Sequence, residues 1–90
     1  MINQLFKTIK ERQQSLPEGS YTTSLFELGE DEILKKIGEE AVEVILAAKA
    51  QGNERLVSEI ADLTYHTLVL LAARGLTPED ISAELEKRKK

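Results

Sequence analysis

Apolar residues recur at helical intervals along most of the chain. Ile2, Leu5, Phe6 and Ile9 share one face, which predicts an amphipathic helix from the N-terminus to about Gln14. Leu16-Pro17-Glu18-Gly19-Ser20 interrupts it, because proline and glycine punctuate helical patterns. Tyr21 to Leu28 has no clear period and is expected to form a loop with one helical turn, stopped by Gly29. A long second helix is expected from Glu32 to about Gln51, with Asp31 as N-cap and Gly52 as terminator. Asn53 can cap a third helix, Glu54 to about Arg74, which closes at Gly75. Thr77-Pro78-Glu79-Asp80 combines a capping threonine, a proline at the first helical position and acids in the first turn. The fourth helix that follows carries Ile81 and Leu85. It ends in Lys87-Arg88-Lys89-Lys90, where cations suit the negative end of the helix dipole. With no strand pattern and no internal repeat, the expected fold is all-α, an antiparallel bundle of about four helices.

The two long helices are joined by very few residues and should be antiparallel neighbours. The third is apolar almost all round: Leu56, Val57, Ile60, Leu63 and the run Leu68-Val69-Leu70-Leu71 cover most of its circumference. Such a helix is buried on most sides, and two thin neighbours cannot hide it. Completion of the bundle by a second copy, a homodimer, is therefore expected. The chain has 90 residues, which suits one domain spanning 1–90. A domain that short hides only about 60% of its unfolded surface, so association would add stability.

Charge and composition narrow the chemistry. The net charge is −4, which speaks against nucleic-acid binding, since that needs a basic face. An anionic substrate would require local cations or a bound metal. There is no cysteine, so thiolate chemistry and disulfides are excluded. The opening residues lack an unbroken apolar core and no run of about 18 apolar residues occurs. No membrane association is expected, and a cytoplasmic location is.

The acids are placed unusually. Glu40 and Glu43 are three apart on the second helix, and Glu59 and Asp62 three apart on the third, so each pair shares one helix face. At about 100° per residue, Glu40 falls beside Val44 and Ile33, and Glu59 beside Leu63 and Leu70. Both lie at the apolar seam between helices. Counted from the turn, Glu43 and Asp62 stand at matching depth, so four carboxylates should converge. They cannot all remain ionised there without raised pKa values, basic partners or a metal. Oxygen-only ligation suits Mg²⁺ or Mn²⁺. His66, about one turn after Asp62, does not make a zinc site alone and reads as a bundle residue with satisfied hydrogen bonds. Taken singly, each acid reads first as a solvated surface charge, and Lys36 with Glu40 is such a surface pair; matched levels and apolar neighbours together favour the converging site.

These residues also carry a family likeness. Glu39-Glu40-x-x-Glu43 followed by Glu59-x-x-Asp62 resembles the signature of the all-alpha nucleoside triphosphate pyrophosphohydrolases, which include the MazG proteins. Gly19-Ser20-Tyr21-Thr22, Leu25-Phe26, Ile33 through Glu43 and Glu59-Ile60-Ala61-Asp62-Leu63-x-Tyr65-His66 are similar to the phosphoribosyl-ATP pyrophosphatase family. Thr64 stands where that family leads one to expect an aliphatic residue. The resemblance implies Glu40, Glu43, Glu59 and Asp62 as metal ligands and Glu39 as an auxiliary acid. It also implies hydrolysis of phosphoribosyl-ATP to phosphoribosyl-AMP and pyrophosphate, in histidine biosynthesis, with possible association with phosphoribosyl-AMP cyclohydrolase.

Pyrophosphohydrolysis needs neutralised phosphates, an aligned water and a stabilised leaving group. Bound Mg²⁺ serves these ends, and Glu39 or Glu59 can accept the proton of water. No nucleophile constellation for a covalent intermediate is present, so direct attack by water is expected. Lys36 points nearer the acidic face than Lys35 and is the better candidate for a phosphate contact. Ser20, Tyr21 and Thr22 form a hydroxyl-rich stretch that can close on substrate, though turn chemistry accounts for it equally. Arg88 can reach a phosphate across a dimer interface. Two alternatives stay open: a house-cleaning nucleoside triphosphate pyrophosphohydrolase with the same acids, and a non-catalytic dimerising helical adaptor.

Overall fold

A computed structural model describes residues 1–89. It consists of five helices: α1 (Ile2–Ser15), α2 (Tyr21–Leu28), α3 (Glu30–Ala50), α4 (Asn53–Ala73) and α5 (Pro78–Arg88). There is no strand among the described residues, so the all-α expectation holds. The helix count is five because Tyr21–Leu28 is a helix and not a loop with one turn. Lys90, the last of the expected terminal cations, lies outside the described residues.

Helix α2 escaped its sequence because Tyr-Thr-Thr-Ser are weak helix formers. Two things override that weakness. Ser20 caps it, accepting the Thr23 backbone N–H at 3.3 Å, and Leu25 is fully buried. Helix α3 then begins at Glu30, not Glu32, with Gly29 as its N-cap in place of Asp31. Gly29 adopts φ 98°, a conformation that side chains with a Cβ rarely take. A single residue can thus end α2 and start α3. Gly52, at φ 83°, is the N-cap of α4, so Asn53 is its first residue and not its cap. At α5 the expected start is realised: the Thr77 backbone N–H donates to the Asp80 carboxylate at 2.8 Å.

Helices α3 and α4 form an antiparallel hairpin, the most extensive contact in the fold. Its open end is clamped twice. Ile9, Leu25, Ile33, Leu68, Val69, Leu71 and Ala72 make one buried core from α1, α2, α3 and the last turns of α4. The Arg74 guanidinium also grips both oxygens of Glu30, one at 2.9 Å. The other half of the hairpin is thinly covered. Val42, Ile45 and Leu46 of α3 and Val57 and Ile60 of α4 are exposed. Burial of α4 on most sides is therefore not achieved within one chain, whose fully buried α4 residues are Glu59 and five residues from His66 onward. By length and composition α4 matches a membrane span, yet it carries Glu59, Asp62 and His66 and pairs with α3 along its length. Helix α5 buries none of its residues.

Replacing Ser20 by alanine should lower unfolding free energy by about 1 kcal/mol through loss of the α2 cap. A urea melt followed by circular dichroism checks this; an unchanged midpoint would show that α2 is held by packing alone.

Candidate metal centre on the α3–α4 hairpin

The hairpin fixes which acids meet. Glu40 stands midway along α3, and Glu59 and Asp62 face it from the first half of α4. One carboxylate oxygen from each of these three lies within 4.8 Å of the others. A cleft of about 430 Å³ surrounds them, lined by Glu39, Glu40, Glu43, Arg55, Glu59 and Asp62. Three of the four expected acids thus converge tightly. Glu43, one turn nearer the hairpin loop, sits on the wall of the same cleft and outside that close group. A larger cleft of about 710 Å³ lies between the start of α1, α4 and α5. Leu63, Leu68, Leu71 and Ile81 line it, so it is mainly apolar and volume does not mark the chemical site.

Burial and repulsion give the acidic group its electrostatic character. Glu59 is only 4% exposed, and its charge is met by Arg55, whose Nη2 lies 2.8 Å from Glu59 Oε2. Burial holds the Glu40 carboxyl above the usual glutamate range, and the nearby charges of Asp62 and Glu59 push it further up. The donor set is all oxygen, which fits a hard divalent cation. Ligand oxygens around such an ion at about 2.1 Å stand roughly 3–4 Å apart. The three carboxylates therefore need to close by up to about 2 Å to share one.

A second layer lies one turn along α4. His66 is buried; its Nδ1 faces the Asp62 carbonyl at 2.9 Å and its Nε2 the Tyr21 hydroxyl at 2.9 Å. A carbonyl only accepts, so Nδ1 carries the proton and, in the neutral ring, Nε2 accepts from Tyr21. The expectation of a bundle histidine with satisfied bonds agrees with this. Thr22, also buried, shares a hydrogen bond with the Tyr65 hydroxyl, and the Tyr21 and Tyr65 rings stack at 6.2 Å. Burial raises the Tyr21 phenol above its ordinary pKa, while Lys36 opposes that shift. Tyr21 therefore stays protonated and donates to His66.

The remaining predicted residues are placed as follows. Ser20 is the α2 cap and also accepts from Arg12 at 3.3 Å. Lys36 pairs with Glu39 at 3.6 Å and not with Glu40 as expected, because the Glu40 carboxyl turns into the seam. Arg88 pairs with Glu84 at 2.9 Å on the same helix. Arg55 was missed by the sequence reading, although its position four residues before Glu59 signalled an ion pair.

The matched family model, phosphoribosyl-ATP pyrophosphohydrolase, covers residues 2–89. The chain belongs to the phosphoribosyl-ATP pyrophosphohydrolase family. It is 60% identical to the phosphoribosyl-ATP pyrophosphatase of Pelotomaculum thermopropionicum over 89 residues, spanning 99% of this chain and 91% of the relative. With the phosphoribosyl-ATP pyrophosphatase of Saccharolobus solfataricus it shares 48% identity over 90 residues, all of this chain and 96% of the relative. It also matches the histidine biosynthesis bifunctional protein HisIE of Oceanobacillus iheyensis at 54% over 88 residues, 98% of this chain and 41% of that longer protein. For a member of this family, a converging carboxylate group is consistent with a divalent metal.

Burial of Glu40, reinforced by repulsion from Asp62 and Glu59, makes stability depend on pH. A carboxyl whose pKa is higher folded than unfolded binds protons more tightly in the folded state, so metal-free stability falls as pH rises from the ordinary glutamate range through the raised value. Glu40→Gln removes that penalty. The metal-free variant should melt about 2–5 °C above the parent at pH 8, with the gap closing towards pH 4. A lower melting point for the variant at pH 8 would contradict the repulsion.

Proposed function

We propose that the chain hydrolyses phosphoribosyl-ATP to phosphoribosyl-AMP and pyrophosphate at the acidic cleft of the α3–α4 hairpin. The observation that carries this reading is the convergence of Glu40, Glu59 and Asp62 in a member of this family. Its relatives are named for the same activity.

In this proposal Glu40, Glu43, Glu59 and Asp62 hold Mg²⁺, or Mn²⁺ in its place. Bound there, the ion supplies charge neutralisation at the phosphates and a more acidic water. The residues of the chain do the rest. Glu39, exposed at the rim, or Glu59 accepts the proton of water as its oxygen bonds to phosphorus and the α–β anhydride bond breaks. Glu39 has the freer carboxylate, because Glu59 is committed to ligation. Lys36, already turned towards this rim, meets phosphate oxygens. Tyr21 spends its proton on His66 and so faces substrate as an acceptor, suited to a ribose hydroxyl or a water. Ser20 and Thr22 position Tyr21 through the α2 cap and the Tyr65 bond. Arg88 of a second copy would reach a phosphate on leaving its Glu84 pair.

The uncovered half of the hairpin supports a homodimer. Val42, Ile45, Leu46, Val57 and Ile60 form an apolar face spread over both long helices, and pairing two such hairpins would complete a four-helix core. Association with phosphoribosyl-AMP cyclohydrolase is supported by the bifunctional name of the Oceanobacillus relative.

Glu40→Gln and Glu59→Gln should each reduce Mg²⁺-dependent pyrophosphate release from phosphoribosyl-ATP by about 100-fold or more, the scale of losing transition-state charge stabilisation. Near-normal rates in both variants would defeat the ligand assignment. The same assay across ordinary and damaged nucleoside triphosphates should show a clear preference for phosphoribosyl-ATP, and equal turnover would point to a house-cleaning role. Light scattering should give twice the 10.1 kDa chain mass, and Ile45→Asp should halve it. A parent protein that is monomeric at micromolar concentration would contradict the dimer.

A further inference from the structure

Arg55 is the only basic residue among those lining the acidic cleft, against five carboxylates. Its pairing is uneven. Glu59 is almost completely buried, whereas the Arg55 side chain is 57% exposed and reaches inward from the rim. Among the described residues that single contact is the only ion pair or hydrogen bond recorded for the guanidinium. Glu59 thus depends on Arg55 for compensation, while Arg55 is tethered at one point and open to water elsewhere.

A buried carboxylate that stays ionised is costly without a positive partner. A divalent ion shared by Glu40, Glu59 and Asp62 would bring two charges to the oxygens that Arg55 serves with one. Two cations at one carboxylate also repel each other. Resting on the metal-site reading above, we propose that Arg55 is an exchangeable counter-ion. It neutralises Glu59 while the cleft holds no divalent ion, leaves it when the ion binds, and then turns its free fork to a phosphate of the substrate. The second step follows from position. A displaced Arg55 remains on the cleft wall, one helical turn before Glu59, where phosphates carried by the ion would sit. Guanidinium suits bidentate phosphate contact. Arg55 would thereby couple the two ligands: substrate that engages Arg55 removes a competitor for Glu59, so each ligand favours the other.

Calorimetric titration of Mn²⁺ into the substrate-free protein tests the exchange, and steady-state pyrophosphate release tests the phosphate contact. Arg55→Met should bind Mn²⁺ roughly three- to tenfold more tightly than the parent, the scale of one partly exposed charge pair. Its KM for phosphoribosyl-ATP should rise about tenfold, more than kcat falls. Arg55→Gln keeps an N–H donor for Glu59 without the charge, and carries the same expectation should the methionine variant not fold. Unchanged or weaker Mn²⁺ binding in a folded variant overturns the exchange. Tighter Mn²⁺ binding with an unchanged KM overturns the phosphate contact. Failure of the parent itself to bind Mn²⁺ saturably is a different result: it removes the metal site and Arg55's role together.

Discussion

Three carboxylates held against one another across the α3–α4 seam are the constraint on which the rest of the molecule depends. Glu40, Glu59 and Asp62 present oxygens within 4.8 Å of each other, and one of them is buried. Nothing local favours this. Like charges at that separation repel, and an exposed alternative exists for any glutamate on a two-helix hairpin. The arrangement persists because the helices that carry it are fixed elsewhere. The Gly52 turn sets the register, and the core around Ile33, Val69 and Leu71 clamps the far end. The acids sit between turn and clamp, where neither helix can roll away. Destabilisation concentrated at one place by an otherwise consistent fold is a mark of function.

Helix α2 ties the site to the remainder of the chain. Its first two residues reach α4 through Tyr21–His66 and Thr22–Tyr65, while Leu25 enters the core. Asp62 and His66 are one turn apart and joined by a hydrogen bond from the His66 ring Nδ1 to the Asp62 backbone carbonyl. The position of Tyr21 therefore reports on the same turn that carries the carboxylate. The hydroxyls of Ser20, Tyr21 and Thr22 are thus all assigned: one caps a helix, one is bonded to His66 and one is shared with Tyr65.

Much of this was legible in the sequence, for physical reasons that can be named. The two long helices, the glycine turn between them and the start of α5 follow from periodicity and capping, which are local. Glu40 and Glu59 were visible because they fall at apolar arcs, and the matched depth of Glu43 and Asp62 pointed to four converging acids, of which three meet closely and Glu43 stays on the cleft wall. What stayed hidden depends on tertiary context. Helix α2 is built from poor helix formers and is held by burial of Leu25 and by side chains of α4. The start of α3 shifted to Glu30 because a glycine with positive φ can serve two helices at once. The turning of Glu40 towards Glu59, which leaves Lys36 to Glu39, is a choice between rotamers that spacing cannot make. Arg55 was legible and overlooked: its four-residue offset from Glu59 was plain, but an ion pair becomes significant only when one partner is known to be buried.

The central claim is that these acids grip one divalent ion. Anomalous diffraction from crystals soaked in Mn²⁺ tests it most directly. The account predicts a strong peak bounded by the carboxylates of Glu40, Glu59 and Asp62. Peaks confined to other carboxylates, with this group empty at saturating Mn²⁺, would contradict it.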